Sequence, residues 1–101
     1  MNHPKHFIDI QDLKRLIKPI DFYSREQRLT RLKKAGKWME GGICPFHSDK
    51  NPGSFHIHLA TGSYQCFSCG AKGGDIVTFT MSKYGLSFKE TLEKLKKEWG
   101  V

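Results

Sequence analysis

Two short segments of the chain carry side chains suited to a soft metal ion. Cys44-Pro45-Phe46-His47 and Cys66-Phe67-Ser68-Cys69 each place two ligand-type side chains three positions apart, and eighteen residues separate His47 from Cys66. A structural zinc ion takes four nitrogen or sulfur ligands at tetrahedral corners, with bonds of about 2.3 Å to sulfur and about 2.0 Å to nitrogen. A turn with this spacing folds its first and last side chains to one side, and its later backbone N–H groups donate to the first thiolate. Two such turns facing each other complete the tetrahedron and leave no coordination position for a substrate. The expected cofactor is therefore one structural Zn²⁺ held by Cys44, His47, Cys66 and Cys69 and closed to solvent. Gly41-Gly42 before the first turn and Gly70 after the second supply the backbone freedom such turns need.

Other chemistry for the same residues fits less well. Three cysteines cannot pair fully within one chain. A redox Cys66-x-x-Cys69 needs a βαβ setting that this short chain lacks. A Cys₂His₂ finger needs two histidines after a Cys-x-x-Cys, and none follows Cys69. His56 and His58 sit in Ser54-Phe55-His56-Ile57-His58-Leu59, where alternation puts Phe55, Ile57 and Leu59 on one face and both histidines on the other. Only His47 has the turn spacing. The pattern is that of a zinc ribbon with one cysteine replaced by histidine.

The elements that must position these ligands can be read from periodicity and punctuation. Asp9–Lys18 reads as a short helix with Ile10, Leu13, Leu16 and Ile17 on one stripe and Pro19 at its end. Residues 20–27 suggest a further helical turn, and residues 29–38 suggest strand pairing around Gly36. Met39–Cys44 is expected as a strand entering the first knuckle. Pro52-Gly53 and residues 60–63 mark turns that bound a 54–59 strand and a returning partner over 63–66. Gly73-Gly74 reads as a break. Asp75 is expected to cap a helix ending near Lys83 before Gly85. Ser87 and Glu90 form a capping box for a last helix running to Trp99, with Phe88, Leu92, Leu95 and Trp99 inward and Gly100 as its stop. Phe55 and Phe79 are expected in the core, and Tyr64 in the hairpin. The fold class is thus a small α+β zinc-binding domain. Its zinc-ribbon antiparallel sheet (about 29–72) is flanked by an N-terminal helical segment (about 8–27) and C-terminal helices (about 75–99), all in one domain over 1–101.

A chain of 101 residues suits one modest core, for which a metal staple is a natural supplement. With 27% charged and 38% hydrophobic residues the composition is globular rather than disordered. No apolar run approaches the roughly 18–20 residues that span a bilayer, and no apolar stretch follows the first basic residues as in a signal peptide. A cytoplasmic location without membrane association is expected. The net charge of +7 is uneven. Arg25, Arg28, Arg31, Lys33, Lys34 and Lys37 form a run interrupted by only one acid, Glu26. Such a run fits a polyanion partner, most simply nucleic acid, and equally a solvated face.

Four linked motifs carry a more specific resemblance. Cys44-Pro45-Phe46-His47, Lys50-Asn51-Pro52-Gly53-Ser54-Phe55, Tyr64-Gln65-Cys66-Phe67-Ser68-Cys69-Gly70 and Gly73-Gly74-Asp75-Ile76-Val77-Thr78-Phe79 follow in the order found in one family. Together they resemble the Cys-His-Cys-Cys zinc-binding domain of bacterial and phage DNA primases. Leu32–Trp38 resembles the basic segment preceding the first knuckle of that family, and the likeness extends over about residues 8–99. Two departures stand out. Gly53 is inserted where the family usually runs Pro-Ser-Phe. The much larger catalytic domain, with its acidic magnesium-binding centre, has no counterpart here, and no Asp-x-Asp pair occurs.

The resemblance implies contact with single-stranded DNA template in replication initiation, and no primer synthesis by this chain alone. Single-strand binding uses cations along the backbone path and aromatic faces for bases, each stack worth about 1–3 kcal/mol. Arg31, Lys33, Lys34, Lys37, Lys50 and Lys72 are the candidate phosphate contacts. Trp38, His56, His58 and Phe67, with Phe46, are the candidates for stacking or base edges. Phe46 and Phe67 could equally shield the metal, and the competing reading of Trp38, as a core residue, is the one favoured for it. Partners implied are a primase catalytic domain or a replicative helicase. A zinc-ribbon module that docks on a replication enzyme is the competing expectation. The chain, which begins with Met and ends after a helix stop, fits both a part of a longer primase and a small protein in its own right.

Overall fold

The computed structural model describes residues 9–29, 34–48 and 52–101. The Arg31, Lys33 and Lys50 named above lie outside the described residues. Two short helices come first, α1 (Ile10–Leu16) and α2 (Pro19–Glu26). Asp9 caps α1 with a reciprocal box: its carboxylate accepts from the Asp12 N–H at 3.0 Å, and the Asp12 carboxylate accepts from the Asp9 N–H. Leu13 and Ile17 are buried, but Leu16 is 53% exposed. The helix ends at Leu16 and Ile17 turns extended, so Ile17 enters the core while the expected inward stripe loses Leu16. Pro19 does more than end α1. It occupies the first turn of α2, where its missing N–H costs nothing.

Five strands follow in an antiparallel meander of spatial order β1 to β5: β1 (Lys34–Ala35), β2 (Trp38–Glu40), β3 (Phe55–His58), β4 (Tyr64–Cys66) and β5 (Lys72–Gly73). The strand expected over 39–44 stops at Glu40. Beyond it Gln27, at the end of α2, donates from its side-chain amide to the carbonyls of Gly41 (2.9 Å) and Ile43 (2.7 Å). Gly42 takes φ +81°, and a Cβ there would meet the Arg28 carbonyl at 2.7 Å. That bend carries the chain into the first knuckle. Gly73, read from sequence as a break, lies instead in β5 under the Tyr64 ring, where a Cβ would come within 2.4 Å of it.

Helices α3 (Ile76–Tyr84) and α4 (Phe88–Trp99) close the fold with the expected caps. Asp75 accepts from the Thr78 N–H at 2.8 Å, Ser87 and Glu90 form their box, and Gly85 and Gly100 end the helices in the left-handed region. Phe79 sits centrally in an aromatic core, with ring centroids 5.0 to 6.0 Å from Tyr23, Phe22, Phe46, Tyr64 and Phe55. Phe46 therefore belongs to the core. Phe88, expected inward, is 47% exposed. As the first residue of α4 it lies beyond the contact, and Thr91, fully buried, takes the inward place ahead of Leu95. Arg25 lies 3.7 Å above the Trp99 ring and donates to the Glu98 carbonyl, so this member of the basic run serves packing.

Candidate metal centre and the outer face of the sheet

The first knuckle follows the Gly41-Gly42 bend held by Gln27, and the second is the turn leaving β4. The turn at 66–70 closes by the Gly70 N–H donating to the Cys66 carbonyl at 2.9 Å, with Gly70 at φ +82°. The Phe67 N–H donates to the Ser54 carbonyl, and the Ser54 and Ser68 hydroxyls lie 2.8 Å apart, so the residue just before β3 anchors this turn. The ligand atoms of Cys44, His47, Cys66 and Cys69 all lie within 4.8 Å of one another. Cys44 Sγ is 3.9 Å from Cys69 Sγ, and Cys66 Sγ is 3.8 Å from His47 Nδ1. A tetrahedron with the bond lengths of zinc to sulfur and nitrogen has edges of about 3.5–3.8 Å. The four side chains are thus positioned to hold one zinc ion.

The electrostatics fit a dication. Burial pushes the Cys44 thiol up to about 12, against the pull of the Phe46 N–H that donates to its sulfur. Cys66 is also penalised by burial, but the N–H groups of Cys69 and Ser68 outweigh it and hold its thiol below the ordinary value. A divalent ion among the three sulfurs would hold all of them as thiolates. Cys44 and Cys66 are buried and His47 is half-buried, whereas Cys69 is exposed. The centre is saturated by four protein ligands but is not sealed from solvent as the sequence suggested, because the second knuckle forms the surface of the fold.

The sheet has an inner face, Met39, Phe55, Ile57, Tyr64 and Cys66, turned to the helices. Strand register puts another set on the opposite, outer face: Ala35 faces Trp38, Trp38 faces His58, Glu40 faces His56, His56 faces Gln65, and Gln65 faces Lys72. Phe67, 67% exposed, stands beside His56 with ring centroids 5.1 Å apart. It lies on this face, lining the same cleft as His56 and Gln65. Trp38, His56, His58, Phe67 and Lys72 are thereby gathered on one surface, with Lys34 and Lys37 exposed in the β1–β2 hairpin at its edge. A cleft of about 350 Å³ lies among Ala35, Trp38, His56, Gln65 and Phe67. Gln65 was not singled out from sequence. Its signal was the alternation Tyr64-Gln65-Cys66, which puts it outward between two buried residues.

Comparison with known proteins gives a consistent result. The family model described as the CHC2 zinc finger matches residues 7–101. A DNA primase of Thermotoga maritima is 37% identical over 92 residues, 91% of this chain and 15% of its own length. A DNA primase of Campylobacter jejuni is 53% identical over 53 residues, 52% of this chain and 8% of its own length. The crystal structure of the Aquifex aeolicus primase, described as its zinc-binding and RNA polymerase domains, superposes with a TM-score of 0.67 at 32% identity, covering 90% of this chain and 21% of that one. The chain therefore spans a small part of the length of the primases it matches.

Proposed function

The chain belongs to the CHC2 zinc-finger family, and from that premise we propose that it is a primase-related module whose outer sheet face receives single-stranded DNA template. The observation that carries this reading is the gathering of Trp38, His56, His58, Phe67 and Lys72 on one solvent-facing surface of a sheet whose other face is core. Aromatic and imidazole rings there offer stacking surfaces, and Lys34, Lys37 and Lys72 offer charge to the phosphates. Arg31, Lys33 and Lys50 complete the proposed set of phosphate contacts. The zinc centre braces the turn that bears Phe67 and so holds the platform rigid.

Bond formation is assigned elsewhere. Asp9, Asp12, Asp75 and Glu90 cap helices, and Glu26 and Glu98 pair with lysines, so these acids serve the fold. The module would act with a polymerase part such as the Aquifex aeolicus primase carries, in the cytoplasm where chromosomes are replicated. No helix among the described residues is long and apolar enough to cross a membrane.

Titration of labelled single-stranded DNA into the zinc-loaded protein tests the reading. Neutralising six phosphates gives a log–log salt slope of about −4. Trp38→Ala is expected to weaken binding about tenfold, one lost stack. A salt-independent signal, or no binding at low salt, would refute it. A docking module is the second reading, favoured by the exposed Tyr84, which with Leu86 lines a cleft of about 500 Å³ at α3 and α4. It predicts a replication protein retained after nuclease treatment by a chain with no DNA affinity of its own.

A further inference from the structure

The outer face holds two histidines whose ring protons are placed by the backbone in opposite ways. His58 Nδ1 accepts from the N–H groups of Ala60 and Thr61, each at 3.2 Å. A ring nitrogen that accepts carries no proton, so the neutral ring keeps its proton on Nε2. His56 Nδ1 lies 3.3 Å from the Ser54 carbonyl oxygen. A carbonyl only accepts, so here Nδ1 carries the proton and Nε2 of the neutral ring keeps its lone pair. Among the described residues neither Nε2 has a hydrogen-bond partner. One histidine therefore offers a donor and the other an acceptor.

Each ring is also packed against an aromatic neighbour. Trp38 and His58 lie 5.0 Å apart at 87°, and His56 and Phe67 lie 5.1 Å apart at 63°. The two pairs are two residues apart along β3, about 7 Å at the rise of a strand. An extended single strand covers a comparable distance in one nucleotide step. The cleft among Trp38, His56, Gln65 and Phe67 joins the two positions.

We propose that His56 and His58 set base preference on this face as a fixed acceptor–donor pair. His56 accepts at Nε2 from a base N–H beside Phe67. His58 donates from Nε2 to a base acceptor beside Trp38. The inference rests on the single-strand reading above and goes beyond it by naming what each position selects. Both contacts are assigned to the exocyclic group at position 4, where cytosine carries an amine and thymine a carbonyl on otherwise similar stacking surfaces. The His56 position therefore favours cytosine, and a donor put there favours thymine.

Two measurements on the zinc-loaded protein test this. Long-range ¹H–¹⁵N spectra of the imidazoles should show protonated Nε2 in His58 and protonated Nδ1 in His56 at pH 7.5. Affinities for oligo-dC and oligo-dT at one salt concentration give a ratio from which the phosphate contribution cancels. H56K should move that ratio toward dT by about fivefold, the worth of one net hydrogen bond of about 1 kcal/mol. H58Q, which keeps an N–H donor, should leave the ratio near wild type, while H58M should move it toward dC. The same tautomer in both rings, or a ratio unmoved by H56K and H58M, overturns the pair while leaving single-strand binding intact. Failure of the wild-type protein to bind either oligonucleotide overturns both readings.

Discussion

Thr91 and Asp75 show how differently a single polar side chain can contribute to this fold. Thr91 is fully buried in α4, and its hydroxyl has no partner among the described residues. Replacing the hydroxyl by a methyl removes a desolvated polar group at nearly constant shape. Thr91→Val should therefore raise stability by about 1 kcal/mol, read from urea unfolding of the zinc-loaded protein. Asp75 is the opposite case. Although burial opposes its charge, the Thr78 N–H and hydroxyl and the Lys14 ammonium at 3.3 Å prevail, and its carboxyl sits below the ordinary value of 3.8. The folded state thus binds this proton less readily than the unfolded one. The stabilisation is complete above the unfolded value and disappears as pH falls through the lower folded one. Asp75→Ala should cost about 1 kcal/mol near neutral pH as a lost cap. The gap between variant and wild type should shrink below pH 3.8, the unfolded-chain value, whereas a constant gap would show that the charge is not involved.

At the scale of elements, the bend between β2 and the first knuckle joins the helical segment to the metal. Gln27 reaches from the end of α2 to two carbonyls on either side of Gly42. Gln27→Ala leaves both without that donor and should destabilise the protein by about 2 kcal/mol. Because the bend sets the approach of Cys44, the same variant should weaken zinc binding, measured by competition with a chromophoric chelator. Unchanged metal affinity would show that the knuckle holds its shape without α2. The element boundaries explain the other differences from expectation. Where a cap or turn signal is local, as at Asp9, Asp75, Ser87, Gly85 and Gly100, the helix ends fall where the sequence places them. Where a side chain from a distant element intervenes, as Gln27 does after Glu40, or where a ring covers a glycine, as Tyr64 does at Gly73, local reading misplaces the end.

For the whole molecule, the metal joins two turns that no other cross-link holds, since the three cysteines are free. Structural zinc in small domains contributes about 10–16 kcal/mol of apparent binding free energy at neutral pH. Strong chelator should therefore abolish or greatly lower the cooperative thermal transition, and Cys69→Ser should lower the melting temperature and the zinc content together. An unchanged melt in chelator would mean that the aromatic core around Phe79 suffices alone.

The ligand set, the helix caps and the split of β3 into Phe55/Ile57 and His56/His58 faces were legible in the order of residues. All three depend on contacts over a few positions, which spacing and alternation record directly. Tertiary structure alone decided that Leu16 and Phe88 face water, that Arg25 serves Trp99, and that Phe67 joins the outer face while Phe46 joins the core. These outcomes depend on which element ends meet and which carbonyls and rings lie opposite, and the packing of distant segments has no counterpart in local periodicity.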